Sequence, residues 1–329
     1  MMVRKILILE RSTIEEIVDV RRSITAVEEV FFEYGRNRIQ MPPKIYLYLG
    51  KYRGDFRAMP AYVEKLDKCV LKWVNVHPDN KKFGLPAVMA IIILSDPKNG
   101  MPLCIMDGTY ATAIRTGAAG AVAAKYLARA NSKIIGLIGC GVQARAQLAA
   151  ISKIFSFSMI KIWDTSSGYT KKFIDEINVP GAEIFKSKAI KECVSGCDIV
   201  VTTTPSRKPL IRLEWLKKGA HINAIGADAP GKEELEPRIL KNAKIVVDSW
   251  EQARHSGEIN VPLKKGMITK KDIYADIGEI ACGRKSGRAS ENEITVFDST
   301  GLAIQDVAIA DLIYKTALKE KRGRWVNLL

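Results

Sequence analysis

The sequence predicts an α/β chain: a doubly wound parallel sheet plus a second α+β domain. Three observations carry that prediction. Residues 134–148 read IIGLIGCGVQARAQL, a short apolar strand followed by a glycine turn and the opening of a helix. After them, apolar strands alternate with helical stretches, as a parallel sheet requires. From residue 44 to residue 107, strand follows strand with turn text between them, the pattern of a mostly antiparallel sheet.

The glycine turn explains the first observation chemically. Gly139 and Gly141 let the backbone turn sharply and let a pyrophosphate approach, and the small Ala144 lets helix and strand pack closely. The helix opening at Val142 and Gln143 offers free N–H groups to phosphates. G-x-G-x-x-A spacing alone is weak in a chain with 24 glycines, but its context strengthens it. A second apolar strand, residues 159–163, ends in Asp164, 25 residues after Gly139, where a carboxylate hydrogen-bonds the ribose hydroxyls of NAD and repels the 2′-phosphate of NADP. A plain βαβ unit with a glycine turn and a solvated acid gives the same text. With its context, the turn predicts a Rossmann domain and NAD as cofactor.

Composition bounds the alternatives. With 329 residues, 47% hydrophobic and 26% charged, the chain reads as an ordinary globular protein of two domains. The net charge of +15 raises the question of nucleic acid. The basic residues, however, fall in scattered pairs such as Lys81-Lys82 and Lys217-Lys218, and the densest cluster (Lys319, Lys321, Arg322, Arg324) lacks interleaved aromatics. A solvated basic surface that draws anionic substrates and cofactors is the expectation, with no nucleic-acid partner. Six cysteines without a C-x-x-C pair and three dispersed histidines argue against zinc and against a disulfide framework. The start, MMVRKILILERST, lacks the apolar length and cleavage site of a signal peptide, and no segment reaches 18 apolar residues. The expectation is a cytoplasmic protein with no membrane partner.

From the N-terminus, residues 6–9 read as a strand, Ser12-Thr13 before Glu15-Glu16 as a helix start, and residues 24–34 as a second helix. Strands follow at 44–50, 69–76, 87–94 and 102–107, with turns at Asp79-Asn80 and Asn99-Gly100. Lys44, Arg57 (in FRAMP) and Lys72 place cations in this sheet where a carboxylate ligand would be held. Lys72 is the informative one. Its apolar neighbours Val70, Leu71, Trp73 and Val74 point it from an otherwise buried strand into a cavity, where an ammonium needs an anionic or polar partner. A lysine on the solvated face of a half-buried strand fits the same text. Asn75 and His77 read as pocket residues or as a turn into Pro78, with the turn favoured.

Residues 109–129 form a long helix whose small residues, from Gly117 to Ala124, allow close packing. Its early cation Arg115 reads as a phosphate or carboxylate ligand or as a surface arginine. Further strands are expected at 198–205, 221–228 and 244–249, and ligands of such sheets bind beyond the carboxyl ends of the strands. That places Thr202 to Thr204, and Ala224 to Asp228, at the nicotinamide edge. Asp228 there is a candidate proton carrier, or else turn chemistry before Pro230-Gly231. A last strand ends at Asp298, the chain turns at Ser299 to Gly301, and a final helix follows that can return to the N-terminal domain.

RTGAAGAVAAKYLA, IGCGVQA, TTTPS, IGADAPGKEEL and FDSTGLAIQD together resemble the ornithine cyclodeaminase and mu-crystallin family across essentially the whole chain, and within it most closely the archaeal alanine dehydrogenases. The resemblance implies a substrate-binding and dimerisation domain from both chain ends (1–120 with 305–329), interrupted by an NAD-binding Rossmann domain (121–304), and a homodimer. It puts the family's catalytic lysine on Lys72 and its acid on Asp228. Its cofactor contacts fall on Arg115, Val142, Gln143, Asp164, Thr203, Lys232 and Ser299, beside Gly139, Gly141 and Ala224. Two departures refine the expectation. Arg57 stands where a cyclodeaminase has a glutamate suited to ornithine's distal ammonium, which together with Lys44 suits a small keto acid. Ala87 stands where relatives usually place a cofactor-contacting hydroxyl. The expected activity is NAD-dependent interconversion of L-alanine with pyruvate and ammonia. Ornithine cyclodeamination, ketimine reduction and a non-catalytic nucleotide-binding role are the alternatives.

Overall fold

The computed structural model describes residues 5–327 and divides into two compact units. One comprises the chain up to Arg115 together with the chain from Leu302 onward, and the other is Thr116–Gly301. The sequence expectation put these boundaries at 120/121 and 304/305. The first shift has a simple cause: helix Gly108–Leu127 runs without a break through that boundary, so no turn or change of composition marks it.

The first unit is a sheet with one helix-covered face. Its strands are β1 (Lys5–Leu9), β2 (Ile39–Gln40), β3 (Ile45–Leu49), β4 (Gly54–Val63), β5 (Lys68–Val76), β6 (Val88–Ser95), β7 (Pro102–Asp107) and a C-terminal strand, Arg324–Asn327. They lie in the order C-terminal strand, β1, β7, β6, β5, β4, β2, with β3 also on β4. All pairs are antiparallel except β1 with β7. Helices α1 (Arg11–Ile17) and α2 (Val20–Gly35) follow β1, and α2 opens on Asp19, whose side chain accepts the Arg22 N–H. The C-terminal helix, Ala303–Lys319, packs on β4, β5, β6 and α2.

The sequence did not announce β4, because Pro60 sits in its middle. The register shows why the proline is tolerated. β4 pairs with β5 throughout, but β3 covers only Gly54 to Ala58 and β2 only Tyr62 and Val63, so Pro60 falls in the gap between them. The turn expected at Asp79-Asn80 is a 3-10 helix, Pro78–Phe83.

The second unit is a parallel sheet. Helix α3 (Gly108–Leu127) leads into β8 (Ile134–Ile138), followed by β9 (Met159–Trp163), β10 (Glu183–Lys186), β11 (Ile199–Thr202), β12 (Arg207–Ile211), β13 (His221–Ala224), β14 (Glu233–Leu235), β15 (Ala243–Val247), β16 (Ile273–Asp276) and β17 (Ile294–Asp298). Eight of the described strands form one sheet in the order β10, β9, β8, β11, β13, β17, β15, β16, and β12 pairs separately with β14. The chain winds outward from β8 first toward β10 and then, from β11, the other way, so the order reverses between β8 and β11. Doubly wound sheets bind ligands at such a switch, beyond the strand ends. Helices α4 (Val142–Ile151) and α5 (Ser167–Glu176) follow β8 and β9.

Small residues bring α3 against α4. A Cβ on Gly117 would lie 2.3 Å from the Ala146 carbonyl oxygen, and one on Gly120 would lie 1.9 Å from Gln147 Oε1. Gln147 Nε2 donates to the Thr116 carbonyl at 2.7 Å, so the contact is hydrogen-bonded as well as close. Buried His221, its pKa pushed down to about 3 mainly by desolvation, stays neutral between Thr295 and Asn223.

Candidate active site

In the second unit the glycine turn joins β8 to α4. Gly139 has a φ of +95°, a conformation that penalises any side chain, and a Cβ there would meet Thr203 Oγ1 at 2.8 Å. Around Gly141 a Cβ would meet nothing within 4 Å, so the space above the turn is open. Gly141 caps α4 without a side-chain hydrogen bond, leaving the first-turn N–H groups without a side-chain acceptor. Val142 is exposed, and the buried Oε1 of Gln143 has no hydrogen-bond partner among the described residues. Asp164 anchors the turn: one carboxylate oxygen accepts the Cys140 N–H at 2.8 Å and the other accepts the Ser166 N–H at 2.8 Å. Gly139, Gly141, Asp164, Tyr169, Thr203 and Leu210 are among the residues lining a cavity of about 540 Å³. An unshielded helix start, an acid after the second strand and an orphaned amide oxygen fit a dinucleotide's phosphates, ribose and amide.

Beyond the neighbouring strands, Thr203 Oγ1 donates to the carbonyls of Ile138 and Gly139 at 3.3 and 3.4 Å. Ala224 is fully buried at the end of β13, and its carbonyl accepts the Ser299 N–H at 3.0 Å. The Ser299 hydroxyl is buried with no hydrogen-bond partner among the described residues. Asp228 lies on the turn after β13, half-buried, and the Lys232 ammonium donates to it at 2.5 Å. Lys232 thus holds the candidate acid.

The first unit gathers the remaining candidates on one face of its sheet. Arg57 pairs across the strands with Tyr46 and Val74, and Lys72 with Met59 and Ile92, so all of these side chains point to the helix-covered face. Lys44, one residue before β3, continues that alternation. Lys72 is fully buried, and its Nζ donates to Asp306 at 2.8 Å. Asp306, on the C-terminal helix, is itself fully buried and also lies 3.4 Å from Arg115 Nε. Arg115 Nη1 donates to Gln305 Oε1 at 2.9 Å. Desolvation, aided by the Arg115 charge, pushes the Lys72 ammonium down to about 7, with Asp306 acting in the opposite direction and Lys44 adding to the fall. Arg57 is buried and donates to Asp55 through Nε at 2.7 Å and Nη2 at 3.2 Å, with its guanidinium over the Tyr46 ring.

The environment of Lys72 corrects the sequence expectation. Leu71 and Trp73 are 40% and 43% exposed, so the strand is not buried on both sides; Lys72 shares its buried face with Val70 and Val74. Its first partner is an internal carboxylate. Sequence reasoning missed Asp306, Gln305 and Asp55. Asp306 carried a signal, an acid inside the apolar run LAIQDVAIAD, and Asp55 stands two residues before Arg57 and so on the same face.

Lys44, Arg57, Lys72 and Arg115 are thus housed in the first unit. Gly139, Gly141, Val142, Gln143, Asp164, Thr203, Ala224, Asp228, Lys232 and Ser299 are housed in the second. Comparison with known proteins recovers the same whole-chain pattern. The alanine dehydrogenase of Archaeoglobus fulgidus is 52% identical over 317 residues, covering 96% of this chain and 97% of that protein. A solved archaeal alanine dehydrogenase dimer with bound NAD superposes with a TM-score of 0.95 at 50% identity, covering 99% of this chain and 100% of that one. The Δ1-pyrroline-2-carboxylate reductase of Thermococcus litoralis, solved with NADH and L-proline, matches with a TM-score of 0.95 at 39% identity, covering 98% and 100%. The ornithine cyclodeaminase/mu-crystallin family model matches residues 4–321, both charged face and glycine turn included, and the chain belongs to that family.

Proposed function

We propose that this chain is an NAD-dependent alanine dehydrogenase, converting L-alanine, NAD and water to pyruvate, ammonia and NADH. The observation that carries the proposal is the buried cation set of the first unit: Arg57 and Lys72 on one sheet face, with Lys44 in the same alternation. Such a set suits a small anionic keto acid and repels the distal ammonium of ornithine. The whole-chain identity to the Archaeoglobus enzyme supports it. NAD, when bound at the glycine turn, supplies the hydride acceptor. Arg57 and Lys44 hold the substrate carboxylate. Lys72 is poised to act on either side of neutrality: protonated it polarises the pyruvate carbonyl, and neutral it takes the proton of the water that attacks the imine. Asp228, held by Lys232, carries protons to and from the amino group.

A second reading, reduction of a cyclic imine, is supported by the Thermococcus litoralis reductase. One assay separates the two. NADH consumption that requires both pyruvate and ammonium establishes alanine dehydrogenase, whereas consumption with Δ1-pyrroline-2-carboxylate and not with pyruvate and ammonium establishes the reductase. Proline formed from ornithine with catalytic NAD would sink both.

The outer face of the first unit's sheet supports a homodimer. Ile45, Ala58, Trp73 and Ile91 stand side by side across four strands, with Ile45 and Ile91 exposed at 65% and 54%. Trp73→Glu is expected to leave a monomer by light scattering. The six cysteines are all unpaired, which suits a reducing cytoplasmic setting.

A further inference from the structure

We propose that Glu234 is a positioning residue of the dinucleotide site: its carboxylate fastens the turn after β11 to the turn after β13. Thr204 belongs to the first of these turns and lines the cavity above the glycine turn. Glu234 Oε1 accepts both the Thr204 N–H and its hydroxyl at 2.7 Å. Glu234 Oε2 accepts the Gly226 N–H at 2.9 Å, two residues before the candidate acid Asp228. One buried side chain therefore holds a wall of the cofactor cavity and the root of the acid's turn.

Gly226 shows how tightly the two turns are matched. A Cβ there would lie 2.2 Å from the Thr204 carbonyl oxygen and 2.6 Å from Glu234 Oε2, so backbone packs on backbone with the carboxylate filling the remaining gap. The carboxylate is in turn held from behind. Glu258 accepts the N–H groups of Glu234 and Leu235 at 2.9 and 2.6 Å, and Asp298 accepts those of Glu258 and Ile259 at 2.8 and 3.1 Å. Among the described residues none of these three acids pairs with a cation. Burying uncompensated carboxylates is costly, and backbone donors offset that cost only where the turns keep this geometry. Burial raises the pKa of all three acids, as expected for groups kept from water. A core that needed only stability would be served as well by apolar side chains. The acceptors sit where two irregular turns meet beside the cofactor cavity, at Thr204 and Gly226.

The proposal rests on NAD binding and not on the identity of the amino acid. Its test is NADH affinity by fluorescence titration, with kcat and the KM of pyruvate measured alongside and the melting temperature as control. Glu234→Gln keeps the size of the side chain but must turn an N–H₂ toward one set of donors. We expect the NADH Kd to rise about tenfold and kcat to fall, while the KM for pyruvate stays within twofold. Thr204→Val removes one of the donors. It is expected to weaken NADH several-fold in the native background and not at all in a Glu234→Ala background, because the two act through the same bond. An NADH Kd unchanged in Glu234→Gln overturns the proposal, as do additive effects in the double-mutant cycle. So does a rise of Kd and KM with a fall of kcat that all follow the melting temperature, which marks a merely structural residue. If the Glu234 variants do not fold, Thr204→Val decides alone: unaltered NADH affinity overturns the proposal. A protein that binds NADH but does not turn over pyruvate and ammonium refutes the alanine dehydrogenase reading and leaves this test intact.

Discussion

The glycine turn of the second unit and the charged face of the first solve opposite problems. The turn presents backbone N–H groups that no side chain caps, so its residues matter chiefly for the atoms they lack, and its anchor Asp164 accepts the Cys140 N–H from 24 positions away. The charged face works through side chains, and two of its pairings come from far along the chain: Lys72 meets Asp306 across 234 positions, and Arg115 meets Gln305 across 190, while Arg57 meets Asp55 two residues away. A backbone site is damaged by adding atoms. A charge site is damaged by removing one, or is retuned by changing its neighbours.

The largest expected effect breaks the charged face and spares the turn. Lys72→Met should lower kcat about 10²- to 10⁴-fold, the range of a lost acid–base group, with the NADH Kd within twofold. If NADH binding falls with turnover, Lys72 is structural and the two sites are not separable as described. The converse variant is Gly139→Ala. It forces a side chain into a left-handed conformation, at about 1–2 kcal/mol, and against Thr203 Oγ1 at 2.8 Å. Its NADH Kd is expected to rise about tenfold or more, while the pH dependence of the residual activity, set by the charged face, keeps its native inflection. A shifted inflection would mean that the turn also sets the state of Lys72.

The same contrast governs what the sequence disclosed. The strand, turn and helix of residues 134–151 could be read directly, because strand burial, glycine spacing and the acid after β9 are local and each follows from backbone geometry. The cations of the first unit were readable as residue types, and Asp55 was within reach of two-fold alternation from Arg57, but the distant partners were not. Nothing near Lys72 in sequence says that Asp306 will neutralise it; only the packing of the C-terminal helix on β5 does. Two-fold alternation could have placed Lys72 with Val70 and Val74, yet the apolar Leu71 and Trp73 hid it, since an exposed apolar face looks in sequence like a second buried one. β4 was lost to Pro60 for a related reason: whether a proline breaks a strand depends on whether a neighbour needs its N–H, and that is decided by register.

A smaller effect sharpens the substrate side of the contrast. Arg57→Lys keeps the charge but not the planar fork that engages Asp55 through two bonds. The KM for pyruvate should rise about tenfold, the worth of one charged hydrogen bond, with kcat at saturating pyruvate and the NADH Kd little changed. A fall in kcat at unchanged KM would assign Arg57 to the chemical step instead of to carboxylate binding.

The smallest effect is a shift in pH and not in rate. Lys72 has its pKa pushed down to about 7 by burial and by Arg115, while Asp306 pulls it upward. On the proposed role of Lys72, alanine oxidation draws on the neutral amine and should rise with pH through about 7, whereas pyruvate amination draws on the ammonium and should fall through the same point. Asp306→Asn removes the stabilising anion, so the inflection should move to lower pH by about one to three pH units in both directions of reaction. Arg115→Met removes a repelling cation and should move it upward. Stability follows the same proton. Because the folded pKa lies below that of the unfolded chain, the unfolded state binds more protons above about pH 7, and the Lys72 contribution to stability rises from there toward the pKa of a free lysine. Below about pH 7 the buried ammonium carries its full penalty. Profiles of kcat/KM in both directions for the two variants check the assignment, and inflections that stay at the native pH would mean that another group titrates there.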